Sequence, residues 1–372
     1  MYLFSFDYPP RPGGIARLCC EIARALARRG ELDAVLTAEP GWLGRPAGLR
    51  EVLLSRRRMV QELQAARFLL NHRSGGVLCG RWWPEAATVV ALDRSPVAVL
   101  VHGTELLATD KARSVLRKRV LESVQLVVAN SRSTSELVLR LAPAARCAVI
   151  TPAVDHERFC PGDQARARLQ FDVPAGARVL ATVGRVQSNK GHATVLRALG
   201  SLTQSSREKF VYLIAGDGPA RSRLKSLAGE LAVDAQLRWL GHVSEEVLPE
   251  VYRAADLHVL LSEQTSALVE GFGMVSLEAQ ASGVPALGSD SGGIADAIVV
   301  GQGGFIVPAG DVQAVARHLE QLLVGPELYR AEGARGRQRV LRECTWAHYV
   351  NALLERAPAM RSSQAASYQA QP

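Results

Sequence analysis

Short apolar runs recur along this chain, each followed by a loop containing Gly, Pro or Asp and then by a stretch with helical spacing. In the first half the runs are Tyr2 to Phe6, Ala98 to Val101, Leu126 to Ala129 and Ala148 to Ile150, and Ile15 to Arg29 carries the spacing of a helix. The second half restarts the rhythm with Val179 to Val183, Phe210 to Ala215, Leu237 to Trp239, Leu257 to Leu261 and Ala286 to Gly288. Buried strands alternating with helices predict parallel sheets flanked by helices, an α/β fold. A chain of 372 residues, 48% of them apolar, can bury two cores of ordinary size, so two doubly wound, Rossmann-like domains follow. The predicted division is 1–160, 161–340, a helix over 341–356 and a disordered tail over 357–372, which is rich in Ser, Ala and Gln. Val154 to Ala177, rich in Asp, Pro, Gly and charge, reads as the linker between the domains.

No apolar run approaches the roughly 18 residues needed to span a bilayer, and no charged-then-apolar leader opens the chain, so a cytoplasmic protein is expected. Six cysteines lie scattered without C-x-x-C or Cys/His ligand spacing, which fits small buried side chains better than a disulfide frame or a metal site. The net charge of +8 lies wholly in residues 1–160, where 23 Lys plus Arg face 15 Asp plus Glu. It concentrates at Arg56-Arg57-Arg58 and over Lys111 to Arg119. Such a face is either simply solvated or rests on an anionic surface, which would place the protein peripherally at the inner face of a membrane. Nucleic acid is not an expected partner, because no aromatic-interleaved basic motif accompanies the charge.

The stretch richest in chemistry follows the apolar run Asp256 to Leu261. Glu270 falls in a glycine-broken loop, and Glu278, with seven residues between the two, falls in the early turns of the next helix. The helix start at Gly273, Met274 and Val275 exposes N–H groups suited to a phosphate, and the flanking carboxylates can hold hydroxyls. Gly184-Arg185-Val186-Gln187-Ser188-Asn189-Lys190-Gly191 puts two cations at the carboxyl edge of a sheet, where ligands of open α/β sheets bind. An Arg and a Lys on such a loop are ordinary by themselves, but the chain holds only five lysines, and these two groups suit a diphosphate. The Pro9 to Ala16 turn, with Gly14, is not a G-x-G-x-x-G fingerprint and by itself is a turn. His102, after the run Val97 to Val101, is by itself equally a packed or surface histidine.

Together these segments resemble the retaining family 4 glycosyltransferases, enzymes of the GT-B fold with an E-x7-E signature. Val269 to Ala279, with Gly271, Phe272, Gly273, Leu277, Glu278 and Ala279 in place, carries the resemblance, and Gly184 to Gly191 resembles the family's G-R-x4-K-G motif. Smaller matches extend it from about residue 9 to 320: Asn130-Ser131, Gly216 to Pro219, Gly241 to Val243, Ala255-Asp256 and Ser291 to Gly293. The resemblance implies two facing domains with a cleft between them and transfer of a hexose from a UDP- or GDP-sugar to a hydroxyl of a lipid, glycan or small-molecule acceptor. It gives Arg185 and Lys190 the donor diphosphate, Glu278 the ribose hydroxyls, Glu270 the sugar and the backbone near Val243 the base. Gly14 borders the diphosphate, and His102, with Thr104 and Glu105, lies toward the acceptor. It also implies a C-terminal helix including Trp346 to Leu354 that returns to the first domain. No cofactor beyond the donor is implied. No metal is either, since the chain has no D-x-D triplet and the two cations can replace one.

Epimerases and sugar phosphorylases share this architecture, and a non-catalytic nucleotide-sugar binder is a third reading; the complete Glu270 to Glu278 signature favours transfer to an alcohol. Family members often show P-N-G-V-D before the linker, where this chain has Pro152-Ala153-Val154-Asp155. That departure, and a first domain in which Trp82 and Trp83 closely follow a glycine-rich turn, touch the half that recognises the acceptor and leave its identity open.

Overall fold

The apolar runs become two parallel sheets in the computed structural model, which describes residues 1–11, 13–39, 49–72, 74–93, 96–107 and 111–361. One unit comprises Met1–Pro152 together with the segment from Trp346 onward, the other Ala153–Thr345. The first holds strands β1 (Tyr2–Phe4), β2 (Ala34–Thr37), β3 (Arg50–Leu53), β4 (Val77–Cys79), β5 (Val97–Val101), β6 (Leu126–Ala129) and β7 (Cys147–Val149), in the order β3-β2-β1-β4-β5-β6-β7. The second holds β8 (Arg178–Val183), β9 (Phe210–Ala215), β10 (Leu237–Gly241), β11 (Leu257–Leu260), β12 (Ala286–Ser289) and β13 (Gly304–Val307), in the order β10-β9-β8-β11-β12-β13. All the pairings are parallel. The α/β, doubly wound class is therefore as the alternation predicts. Continuous runs such as Val97–Val101 and Phe210–Ala215 are buried at every position, as strands covered on both faces must be.

Four strands, β2, β3, β4 and β13, are absent from the sequence reading. Each spans only three or four residues, but β1, β6, β7, β11 and β12 are as short, so length alone does not separate the legible strands from the others. β3 is also an edge strand with Arg50 and Leu53 exposed, so its burial pattern is not apolar. The Val154 to Ala177 segment is not a linker. Val154, Phe159, Ala167, Phe171 and Ala177 belong to the second unit's core. Asp163 caps the helix Gln164–Gln170 by accepting from the Arg166 N–H, and Arg168 pairs with Asp256 at 2.7 Å. Arg337 Nη1 donates to the carbonyls of His156, Phe159 and Ala281 at 2.9, 3.0 and 2.7 Å. Composition misleads here because polar groups that look solvated are consumed in fastening the chain.

In the first unit the helix Gly14–Arg28 buries Leu18, Cys19, Ile22 and Leu26, and Arg29 at its end hydrogen-bonds Asn351 of the helix Trp346–Arg356. The predicted disordered tail starts too early: Ala357 and Met360 are buried around the turn Pro358–Met360. Residues 362–372, and Pro12 of the first loop, lie outside the described residues. The six cysteines are all unbridged, four of them buried.

Candidate active site

In the second unit the strand order reverses between β8 and β11, and the carboxyl edge at such a switch point is where an open α/β sheet leaves a crevice. β8 runs into Gly184, Arg185 and a turn Ser188–Lys190 before the helix His192–Ser201. β11 runs into the loop that carries Ser262, Glu263 and Glu270. Because β8 and β11 are neighbours, two loops distant in sequence meet. Lys190 Nζ lies 2.5 Å from Glu270 Oε2, and the Ser262 hydroxyl donates to the same oxygen at 3.3 Å. Both side chains are mostly buried, with 24% and 16% of their surface exposed.

Backbone contacts hold this pair in register. The Glu263 N–H donates to the Asn189 carbonyl at 2.8 Å, and the Gly293 N–H donates to the Glu270 carbonyl at 2.8 Å. Gly191, directly after Lys190, takes φ 76°, and a Cβ there would lie 2.1 Å from the Leu261 carbonyl oxygen. Glycine is thus required twice over, by its backbone conformation and by the closeness of the neighbouring strand end. His192, one residue further, is buried with neither ring nitrogen paired; burial, and secondarily the Lys190 charge, push its pKa down to about 4, so it is neutral at pH 7.

Gly273, in the left-handed region, opens the helix Met274–Ala281, whose first residues Met274 and Val275 are half-buried. The helix leaves its first N–H groups without intrahelical partners. Glu278 sits in its second turn, 3% exposed, and its Oε2 accepts from the Tyr252 hydroxyl at 2.6 Å. Tyr252, on the helix Leu248–Ala254, is absent from the sequence reading, since a tyrosine at an apolar helical position carries no signal beyond core packing. Arg185 is exposed, and Val243, between β10 and that helix, is half-buried.

Lys190, expected at a phosphate, and Glu270, expected at a sugar, are in direct contact with each other. The remaining candidates belong to the first unit. Gly14 is the exposed first residue of its helix. His102, at the end of β5, donates its N–H to Glu105 Oε1 at 2.5 Å, and its Nε2 lies 2.8 Å from the Gly80 carbonyl oxygen. Glu105 lies in the turn Thr104–Leu106, in which Thr104 is exposed.

Two family models match the chain, "Glycosyltransferase Family 4" over residues 12–158 and "Glycosyl transferases group 1" over residues 163–339. A D-inositol 3-phosphate glycosyltransferase of Saccharomonospora viridis is 32% identical over 367 residues, covering 94% of this chain and 82% of that protein. The chain belongs to the family 4 glycosyltransferases. A GDP-mannose-dependent alpha-(1-6)-phosphatidylinositol monomannoside mannosyltransferase of Mycobacterium tuberculosis is 29% identical over 372 residues, covering 92% and 94% of the two chains. Among solved structures, Anabaena HepE in complex with UDP and glucose superposes with a TM-score of 0.80 at 17% identity, over 95% of this chain and 98% of that one. The two parallel sheets are those of the GT-B fold. This family 4 glycosyltransferase is an enzyme of hexosyl transfer, and no described helix is long and apolar enough to cross a membrane.

Proposed function

We propose that this enzyme transfers a hexose from a GDP- or UDP-sugar to a hydroxyl of an inositol-containing acceptor, with retention at the anomeric carbon and without a metal. The Lys190–Glu270 pair at the switch point of the second sheet carries the reading. A mostly buried ion pair is weak support for stability but a well-placed store of charge. An arriving diphosphate competes for Lys190 and turns Glu270 toward the sugar hydroxyls. Arg185 and the N–H groups at Gly273, Met274 and Val275 add to the stabilisation of charge growing on the departing diphosphate, the term that tends to dominate such chemistry. Glu278, oriented by Tyr252, holds the ribose hydroxyls, and the backbone at Val243 meets the base.

In the step itself the bond from the anomeric carbon to the phosphate oxygen breaks and a bond to the acceptor oxygen forms on the same face. The acceptor proton passes to the leaving phosphate oxygen. Gly14, His102, Thr104 and Glu105 are the first unit's candidates, His102 for a hydroxyl of sugar or acceptor. The relatives named for GDP-mannose, inositol 3-phosphate and phosphatidylinositol monomannoside set the first donors and acceptors to test. Incubation with GDP-mannose or UDP-glucose and D-inositol 3-phosphate should yield a glycoside of retained configuration, read by mass and anomeric coupling. Enzyme dialysed against EDTA should keep its rate. An epimer or a sugar 1-phosphate as product, or an undiminished rate in Lys190→Ala, would overturn the reading.

An anionic membrane surface is proposed as a further partner. The helix Arg58–Asn71 exposes Met59 and Leu63, 79% and 70% accessible, beside the exposed Arg56 and Arg57. The basic helix Lys111–Ser123 contributes less than its composition suggests, because Arg117 is buried, with its guanidinium 6.0 Å from the Trp82 ring centroid. Sedimentation with phosphatidylserine vesicles should fall with salt, and equal binding to neutral vesicles would remove the idea.

A further inference from the structure

The first sheet reverses its strand order between β1 and β4, and the segments that follow those strands are joined at three points. The Gly80 N–H donates to the Phe4 carbonyl at 2.8 Å, the Phe6 N–H donates to Glu85 Oε1 at 3.1 Å, and Asp7 pairs with Arg81. Within the β1 segment the Ser5 hydroxyl donates to the Asp7 carbonyl at 2.8 Å. Phe6 and Asp7 lie on the stretch that leads from β1 to the helix opened by Gly14, so what anchors them bears on where Gly14 is held.

Two buried atoms at this junction are unmatched. Glu85 is 1% exposed and its Oε2 has no partner, while Arg81 Nε is buried without an acceptor even though the far end of the same guanidinium holds Asp7. An acceptor and a donor left unmatched in one buried corner are costly, and each is what the other lacks. Burial raises the Glu85 pKa to about 7 against the pull of the Phe6 N–H, its own N–H and Arg81, with Asp7 adding to the rise. The other groups around it bring no competing charge. Cys19 of the helix Gly14–Arg28 and Cys79 of β4 are thiols kept protonated by burial, and His102 is tied to the Gly80 carbonyl. Arg11 pairs with Asp7 at 3.3 Å, and Arg56, on the same cleft of about 550 Å³, pairs with Glu39 at 2.9 Å; Arg117 lies against the Trp82 ring.

With Glu85 protonated, one carboxyl oxygen serves Phe6 and Arg81 stands with Asp7. When the proton leaves to solvent, a carboxylate remains in the interior, where an unpaired charge is costly, and the unmatched Arg81 Nε is the donor that can meet it. Arg81 is then shared, Asp7 loses part of its partner, and the β1 segment loosens. We propose that Glu85 is a positioning residue for the segment from β1 to Gly14, its proton setting whether Arg81 stands with Asp7 or is shared with Glu85. Its effect on rate rests on the glycosyl-transfer reading; its effect on the segment does not.

Two readouts on the full chain test it. Hydrogen exchange over residues 5–11, corrected for intrinsic rates, should quicken about fivefold from pH 7 to pH 8 in the wild type, as a single ionisation near 7 requires, and stay level in Glu85→Gln. The glutamine keeps an oxygen for the Phe6 N–H and stands in for the protonated acid. Over the same range kcat/KM for transfer from GDP-mannose or UDP-glucose to D-inositol 3-phosphate should fall about fivefold in the wild type and not in Glu85→Gln. Asp7→Asn releases Arg81 to Glu85 and should move both changes about one pH unit lower, whereas Arg81→Gln should move them about one unit higher. Wild-type exchange that ignores pH, an equal response in Glu85→Gln, or shifts of one sign in Asp7→Asn and Arg81→Gln would overturn the proposal. Exchange that responds while the rate of an active enzyme does not would strike the positioning role. If exchange responds as expected and no glycoside forms at any pH, the transfer reading fails and the proton-dependent anchoring stands.

Discussion

The two units share a parallel sheet with one reversal of strand order, yet use it differently. In the second, the loops at the reversal are drawn together until a lysine and a glutamate touch, and backbone contacts around Gly191, Asn189 and Gly293 leave them little freedom. In the first, the loops after β1 and β4 are joined by the Asp7–Arg81 pair and by the Phe6 N–H on Glu85, beside an open, charge-lined cleft. One topology thus carries a fixed, mostly buried ion pair in one unit and an open, charge-lined cleft in the other.

Removal of the cation should have the largest effect. Lys190→Ala should lower kcat about 100- to 1,000-fold, the range found when one charge-stabilising group is lost, with little change in acceptor KM. An acceptor KM effect as large as the kcat effect would show that the division of labour is wrong. Glycine 191 comes next. Gly191→Ala should destabilise the second unit by roughly 3 kcal/mol or more, since the new Cβ meets a backbone carbonyl in a conformation alanine avoids; urea unfolding followed by hydrogen exchange would read it.

Opposite responses to pH should then distinguish the units. Glu85 has its pKa raised to about 7, so the folded first unit holds a proton that the unfolded chain has released above about pH 4.5, and its stability falls as pH rises between those values. Glu85→Gln should recover roughly 3 kcal/mol of that at pH 7.5. In the second unit His192, lowered to about 4, and His258, lowered to about 3, stay unprotonated where the unfolded chain binds protons, so stability is full above about pH 6.5 and is lost as pH falls through 4 and 3. Exchange protection corrected for intrinsic rates should move in opposite directions in the two units between pH 7 and 4. The same direction in both would dissolve the contrast. The smallest expected effect is Tyr252→Phe, which removes one hydrogen bond to a charged acceptor and should raise donor KM by about three- to tenfold with kcat nearly unchanged.

In the second unit five of six strands are legible, among them the six-residue runs β8 and β9; β13, which opens on Gly304, is not. The first unit's β2, β3 and β4 are not legible either; β3 is an edge strand with Arg50 and Leu53 exposed and need not be apolar. With β4 unread, Arg81 and Glu85 had no place at a sheet edge, and the cleft stayed hidden even though Asp7 and Arg11 lay in a loop the motif reading had reached. Tyr252 stayed hidden for another reason: its hydroxyl works, but its ring is ordinary core.

Local sequence determined where strands and helices alternate, that the sheets are parallel, and which loops carry acids, cations and glycines, because apolar periodicity and turn chemistry act over a few residues. Only the tertiary structure decided that Lys190 meets Glu270 across eighty positions of sequence, that Arg117 is inside, and that Glu85 lies unmatched beneath a cleft. Strand order sets those juxtapositions, and it arises from the packing of whole layers, which no single segment encodes.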